Sequence, residues 1–281
     1  MDGLVTAMPG QVLPYTKSSA TAKGAGTFHS LWAVAGTPGA GSTPATGSGQ
    51  TCSNLTAGAM RFNNPTGGNL SYLARGLMNA GVVGSLIIYD RLVTTSGLNG
   101  TLTTVQNVTS EALSRYTTGD DVQLFIEWYT ATGATASNIT VNYTNHLGTT
   151  GQVTAAQAFT QTPVVGQMQP IFLNGSDAIR TVESVTLSAS TGTAGNFGIT
   201  LMRRLLTIPL PLANSATSMD SFAAGMVKVE NSACLAGMVF CSTTSTAMPS
   251  ALSRVMVFIT SCTTLGARPW LGSSNSTSPS M

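Results

Sequence analysis

Alternating apolar and polar residues form the clearest pattern in the chain, and they dominate its middle. In residues 138–144, Ile139, Val141 and Tyr143 alternate with polar Asn and Thr residues, and Asn145 begins the break that follows. A period of two predicts a half-buried strand, because successive side chains of a strand point to opposite faces. The same period in residues 122–129 predicts a second strand, whose even-numbered side chains face the core.

Further apolar runs are bounded by Gly, Asn, Asp and Ser, which is typical of strands separated by turns. These runs cover residues 82–95, 152–159, 164–173, 181–190, 197–208, 224–229, 234–241 and 253–261. Many short strands at roughly 8–12-residue spacing indicate an antiparallel sandwich or barrel. Strands and helices do not alternate, so a doubly wound parallel sheet is not expected.

Two segments carry helical signals. Residues 69–80 (NLSYLARGLMNA) place Leu70, Leu73 and Leu77 at helical spacing, and residues 109–117 have room for one helical turn. The predicted fold class is therefore mainly β. We expect an antiparallel β-sandwich of jelly-roll type with one or two short helices.

The domain organisation follows from composition along the chain. Residues 1–50 are rich in Gly, Pro, Ser, Ala and Thr, which predicts an extended N-terminal arm. We expect the β-sandwich over residues 51–212. Further strands in residues 213–270 belong either to that domain or to a small second one, and residues 271–281 form a flexible tail.

The low fraction of charged residues is the feature of the composition that says most about function. Charged residues make up 8% of the 281 residues, against about 25% in an ordinary soluble domain. Such a surface suits a subunit that packs against other chains, since interface cores are depleted in charge; a secreted β-domain is the alternative. The net charge of +2 argues against direct binding of nucleic acid through its phosphates. No run approaches the ~20 apolar residues of a membrane helix.

Candidate chemistry is sparse. The two histidines, His29 and His146, could each act as a general base with Asp120 or Asp177, but incidental histidines are common. The adjacent acids Asp120 and Asp121 follow a glycine, where turn hydrogen bonds are the simpler interpretation. The chain has no G-x-S-x-G elbow and no Gly-rich phosphate loop. We therefore expect no catalytic residues, no cofactor and no enzymatic activity.

The four cysteines, Cys52, Cys234, Cys241 and Cys262, include no C-x-x-C pair and no neighbouring histidine. This spacing predicts no metal site. The N-terminus also lacks the basic and apolar regions of a signal peptide. We therefore expect reduced thiols that are buried as small apolar groups.

Three stretches carry a family resemblance: GDDVQLFIEWYTATGATA (residues 119–136), VNYTNHLGTTGQ (141–152) and SVTLSASTGTAGNFGITLMRRL (184–205). Together with Ile-Pro-Leu at 208–210, they resemble virion structural proteins of tailed bacteriophages, with capsid decoration or cement proteins as the nearest group. The resemblance covers about residues 80–212 and includes no catalytic signature. It implies a β-rich subunit that binds the outside of an icosahedral shell and often forms trimers.

The leading hypothesis is therefore a non-enzymatic cement protein on the capsid surface, made in the host cytoplasm. Its expected partner is the major capsid protein, and a homotrimer is the favoured oligomer, without nucleic acid or membrane. Aromatic and Arg side chains are common interface anchors. As an alternative to an interface role, either Arg203 or Arg204 could form an ion pair within the chain, with Glu183 or Glu127. The candidate interface residues are Phe28, Leu31, Trp32, Arg203, Arg204 and Trp270.

Two alternatives stay open. One is a tail or fibre component of the virion, although no repeat of fixed period is present. The other is a glycan hydrolase on a β scaffold, which needs two carboxylates in one cleft. Its candidates are Glu111, Asp120, Asp121, Glu127, Asp177 and Glu183.

Overall fold

The computed structural model describes residues 10–18, 22–81, 83–109, 111–175, 177–221, 227–242 and 252–262. Within these ranges the regular elements are eighteen strands, and none is a helix. Consequently, the described residues contain no helix long and apolar enough to cross a membrane. The regular structure of the described residues is thus all-β, as the period of two predicts for the middle of the chain.

The strands follow one another in short steps along the chain. They are β1 Gly10–Lys17, β2 Thr27–Ser30, β3 Gly36–Thr37, β4 Gln50–Thr51, β5 Leu70–Asn79, β6 Gly84–Thr94, β7 Gln106–Asn107, β8 Val122–Thr130, β9 Ser137–Asn145, β10 Gln152–Val153, β11 Gln157–Phe159, β12 Gln167–Ile171, β13 Ile179–Leu187, β14 Asn196–Leu210, β15 Ala216–Asp220, β16 Val227–Val229, β17 Leu235–Cys241 and β18 Leu252–Cys262. All pairings between them are antiparallel.

A closed six-stranded barrel stands at the centre of the fold. Its strands pair in the order β14, β8, β12, β2, β17 and β6, and β6 pairs with β14 to close the ring. An even number of strands lets every pair be antiparallel, and closure removes the unpaired edges that an open sheet would expose. The short strand β4 adds to the free edge of β6 beyond the end of β17.

Two open sheets flank the barrel. The β5 sheet has the order β15-β5-β18-β1-β3, with β16 also paired to β5, and the β9 sheet has the order β10-β9-β13-β7, with β11 also paired to β9. Buried apolar side chains separate each sheet from the barrel wall. We call these layers the first outer core, on the β5 sheet, and the second outer core, on the β9 sheet.

Barrel strands are buried on both faces. On β8, Ile126 and Trp128 point into the second outer core, whereas Phe125 and Glu127 point into the barrel interior. Each outward-facing residue alternates with an inward-facing one, as the pleat of a strand requires. Glu127 is therefore buried, although the alternation along β8 places it among the more polar positions.

The expected short helices are wrong. Most of residues 69–80 forms β5 (Leu70–Asn79), in which Leu73 and Met78 are buried while Leu70 and Leu77 are half-buried. A register shift near Ala74 breaks the alternation, which made the apolar spacing resemble that of a helix. Pairing with β18 and β15 overrides that local spacing, since tertiary context outweighs propensity. Residues 109–117 contain bends and a turn but no helix in their described part.

In its described residues, the segment expected to be an N-terminal arm contributes strands to the sheets and an ordered loop between them. Strand β1 pairs with β18, and β2 is a member of the barrel. The Gly- and Pro-rich run that follows β2 packs as an ordered loop around Trp32, with Gly41 close to the indole ring. The domain boundaries at residues 50, 212 and 270 stay a prediction.

Candidate interaction surface at the barrel mouth

One end of the barrel opens into an apolar cavity of about 420 Å³. Inward-facing side chains of the barrel strands line it, including Phe28 on β2, Ile87 on β6, Phe125 on β8 and Met238 on β17. The Phe28 and Phe125 rings meet edge to face, with 5.9 Å between their centroids. We call this end the barrel mouth.

A polar cavity of about 610 Å³ adjoins the apolar one. The two share Gln123, Asp177 and Arg204, so they form one continuous depression. Asp120 and Asp121 line its polar part, as do His146 and Arg203. Apolar walls beside a few charged groups are typical of binding sites.

The loop before β8 brings its acidic residues to this depression. Gly119 has a φ of 82°, and a Cβ there would lie 2.6 Å from the Ile179 carbonyl oxygen, so only glycine fits. Asp121 then adopts a left-handed φ of 59°. Its carboxylate accepts a hydrogen bond from Arg203 Nη2 at 3.1 Å, and the same guanidinium lies 4.4 Å from the Tyr116 ring centroid.

The histidine and the aspartate on the opposite side are tied into their own loops. Asp177 Oδ2 accepts a hydrogen bond from Tyr143 Oη at 2.8 Å. His146 Nδ1 lies 4.0 Å from Asp177 Oδ1 but accepts the backbone N–H of Ala178 at 3.2 Å. Nδ1 is therefore an acceptor, and the donor from histidine to aspartate that orients a catalytic triad is not formed here. Among the described residues, no three His, Cys, Asp or Glu side chains are placed to hold a metal ion.

Large apolar side chains stand exposed beside the depression. Phe172, which lines the apolar cavity, is 72% exposed, and Leu147, next to His146, is 74% exposed. Gln157 fixes the Phe172 backbone, because its side chain accepts the Phe172 N–H at 2.9 Å and donates to the Phe172 carbonyl at 2.8 Å. Asn145 Oδ1 likewise accepts the backbone N–H groups of Leu147 and Thr149. Both apolar groups are thus presented on fixed turns.

The opposite end of the barrel is filled, and it is charged. Arg91 Nη2 and Glu127 Oε2 form an ion pair at 2.7 Å between side chains that are 0% and 2% exposed. The Trp32 ring covers the pair, with its centroid 4.8 Å from Arg91 Cζ. Burial alone would raise the pKa of Glu127, but the Arg91 guanidinium and the Thr200 hydroxyl hold that pKa below its usual value. We call this end the closed end.

The sequence-predicted interface residues divide between these places. Phe28 and Arg204 line the apolar cavity, and Arg203 and Arg204 line the polar one. Leu31 is buried in the first outer core and Trp32 at the closed end. Trp270 lies outside the described residues. The interface role of these residues stays a prediction.

The expected pairing of an Arg at 203 or 204 with Glu183 or Glu127 is wrong. Arg203 pairs with Asp121, Glu127 pairs with Arg91, and Glu183 accepts the Thr144 hydroxyl at 2.8 Å. Of the six candidate carboxylates, the structure brings Asp120, Asp121 and Asp177 to one cavity.

Sequence reasoning missed Phe172 and Leu147. Phe172 ends an apolar run that predicts a strand over 164–173, so its side chain was assigned to the sheet. The strand ends at Ile171, and Gln157 binds the Phe172 backbone just beyond it, where the ring is exposed. No local signal in the sequence encodes this contact.

An all-β chain built on a closed antiparallel barrel, with an open and partly charged mouth, is the class of protein that these observations define. No family model matches the chain, and no curated protein matches it. Among solved structures, the chain is similar to one titled "Crystal structure of infectious bursal disease virus VP2 subviral particle". That match has 9% sequence identity, covers 90% of this chain and 79% of that chain, and has a TM-score of 0.22. At this TM-score the match carries no argument.

Proposed function

We propose that the protein is a structural component of a virion that binds the outer capsid shell and bridges neighbouring major capsid proteins. In this proposal the barrel mouth makes the contact, and the protein acts without catalysis or a cofactor. The observation that carries it is the exposed Phe172 ring, fixed by Gln157 at the rim of an apolar cavity.

The chemistry of the mouth supports binding to another protein. Interface energy concentrates in a few aromatic and Arg side chains that pack into pockets and lose their water. Phe172 supplies an aromatic group to a partner, and the adjoining cavity has room to accept a partner side chain. Arg204 and Asp177 at its edge supply charged groups that fix orientation.

Composition supports a role in assembly. Few charges and many Thr, Ser, Gly and Asn residues give a surface that costs little to remove from water. The resemblance of residues 119–205 to phage virion proteins points to the same class. Repetition over a shell strengthens such binding, since a modest contact made many times gives a large total stabilisation.

The test is co-sedimentation with capsids that lack the protein, followed by electron microscopy. We expect the unmodified protein to pellet with capsids at a fixed stoichiometry. Phe172→Asp should weaken that binding by roughly 30-fold or more, the effect of losing an interface anchor worth at least 2 kcal/mol. Leu55→Asp is the matched control, because Leu55 is 71% exposed but follows Cys52 near the closed end.

Three results would overturn the proposal. One is equal capsid binding by Phe172→Asp and the unmodified protein, and another is equal weakening by Leu55→Asp. The third is the formation of rings, tubes or fibres by the protein alone without shell binding, which would instead favour a tail component. Sedimentation equilibrium of the unmodified protein checks the expected trimer separately.

A further inference from the structure

Two cysteines meet where strands β4 and β17 follow each other along one edge of β6. Cys52, just after β4, donates its backbone N–H to the Leu92 carbonyl at 3.0 Å. Cys234, just before β17, accepts the backbone N–H of Arg91 at 2.9 Å. Their backbones are therefore bonded to consecutive residues of the same strand, although 182 positions separate them in sequence.

Their side chains lie near each other at the closed end. Both belong to the cluster that fills the barrel interior, with exposures of 3% for Cys52 and 0% for Cys234. The two thiols lie close enough for each to shift the pKa of the other. A disulfide needs two cysteines with neighbouring backbones and side chains in the same space, and the bonds to Arg91 and Leu92 together with the shared cluster supply both.

A buried ion pair holds both cysteines in place. Arg115 donates two hydrogen bonds to Asp90, at 2.9 and 2.8 Å, and also donates to the Cys52 carbonyl at 2.9 Å. Asp90 Oδ1 accepts the backbone N–H of Cys234 at 2.8 Å. The backbone of Cys52 is therefore bound to Arg115 and that of Cys234 to Asp90, the two members of one ion pair.

The surroundings also make the two thiols unequal. The neighbouring Cys234 thiol lowers the pKa of Cys52 against the effect of burial, with help from the Arg91 and Arg115 guanidiniums. Burial raises the pKa of Cys234. Because the thiolate is the nucleophile in disulfide exchange, Cys52 is the sulfur that attacks first.

We propose that Cys52 and Cys234 form a disulfide within the folded chain when the protein meets a small-molecule disulfide such as oxidised glutathione. The Cys52 thiolate attacks one glutathione sulfur, forms a mixed disulfide and releases one glutathione. Cys234 gives up its proton and attacks the Cys52 sulfur, and the second glutathione leaves with that proton. Two protein thiols are oxidised, and one glutathione disulfide is reduced to two thiols.

The disulfide would join β4 to β17 across the closed end and stabilise the fold. A link between residues 52 and 234 closes a long loop, which restricts the unfolded chain strongly. We expect the melting temperature to rise by about 5 °C or more on oxidation. Burial makes the exchange slow, since glutathione reaches the pair only when the closed end opens locally.

The experiment uses the full chain, purified in reductant and then divided between dithiothreitol and oxidised glutathione. Each sample is denatured, alkylated and weighed by mass spectrometry, and a digest locates any linked peptides. We expect the oxidised sample to lose two alkylatable thiols, to yield a Cys52–Cys234 peptide and to melt at the higher temperature. Cys241→Ala is the matched control, because Cys241 is also buried on β17 but faces the first outer core; it should keep the whole response.

The thiol count on the unmodified chain decides the proposal even where a Cys52 variant fails to fold. Four alkylatable thiols after oxidation would overturn it. A linkage through Cys241 or Cys262, or a glutathione adduct that stays on Cys52, would also overturn it. The inference stands apart from the virion proposal, because it needs no capsid.

Discussion

The two ends of the barrel differ in a way that reverses the usual distribution of polar and apolar groups. At the closed end, Arg91 and Glu127 are fully enclosed and capped by Trp32. At the mouth, Phe28 and Phe125 line a cavity that is open to solvent. Burying charge while leaving an apolar cavity open to solvent is costly for an isolated chain. The two ends therefore use charge differently, because the closed end buries an ion pair whereas the mouth places its charged groups around an open cavity.

The closed end gives the largest expected effect on stability. Glu127→Leu leaves the Arg91 guanidinium buried without its partner, which should lower the free energy of unfolding by about 3–5 kcal/mol. The double variant Arg91→Met/Glu127→Leu should lose less than the single variant, because no unpaired charge remains. Urea unfolding followed by tryptophan fluorescence measures both.

The exposed ion pair at the mouth is the control for that comparison. Asp121→Asn breaks the ion pair with Arg203, in which the Asp121 side chain is 76% exposed. Because the pair is exposed to solvent, the substitution should lower the free energy of unfolding by less than about 1 kcal/mol. If Glu127→Leu and Asp121→Asn cost the same, the two ends do not differ in how they use charge.

The strands of the middle of the chain could be predicted from their alternation, but the closure of the barrel could not. Strand β9 has one buried face, which carries Ile139, Val141 and Tyr143, and one more exposed face. A period of two therefore describes this strand fully. On β8 the same period places Glu127 on the more polar side, and nothing local shows that this side faces a barrel interior. The buried charge pair depends on contact with Arg91, 36 positions earlier.

The candidate site was less predictable than the fold. Asp120 precedes β8, Asp177 precedes β13 and Arg204 lies on β14. They line one cavity because these three strands pack around the second outer core. Long-range pairing also overturned the helix expected over residues 69–80, where β5 lies between β18 and β15. Sequence patterns record the faces of an element, whereas this site depends on which elements become neighbours.

Acid should destabilise the barrel wall by an intermediate amount. Burial, with the nearby Lys23 cation, lowers the pKa of His29 on β2 to about 3, against about 6.5 in the unfolded chain. Below pH 6.5 the unfolded chain therefore binds a proton that the folded chain does not. Stability should fall as pH falls from 6.5 towards 3, by about 2 kcal/mol at pH 5.

Urea unfolding at pH 7.5 and pH 5 measures this loss, and His29→Gln isolates its source. The variant should be less sensitive to acid by about 2 kcal/mol, whatever its stability at pH 7.5. An unchanged pH dependence in His29→Gln would assign the acid sensitivity to other groups. His29 in the barrel wall would then contribute nothing to the loss of stability in acid.

The smallest expected effect falls on the exposed ring at the mouth. Phe172 is 72% exposed, and its contacts with Gln157 use backbone atoms. Phe172→Asp should therefore change the free energy of unfolding by less than about 0.5 kcal/mol, as measured by urea unfolding beside Glu127→Leu. A loss above about 1.5 kcal/mol would mean that the ring holds the fold together. Weaker capsid binding by this variant would then report damage to the barrel, whereas an unchanged stability makes the same weakening a direct measure of the contact.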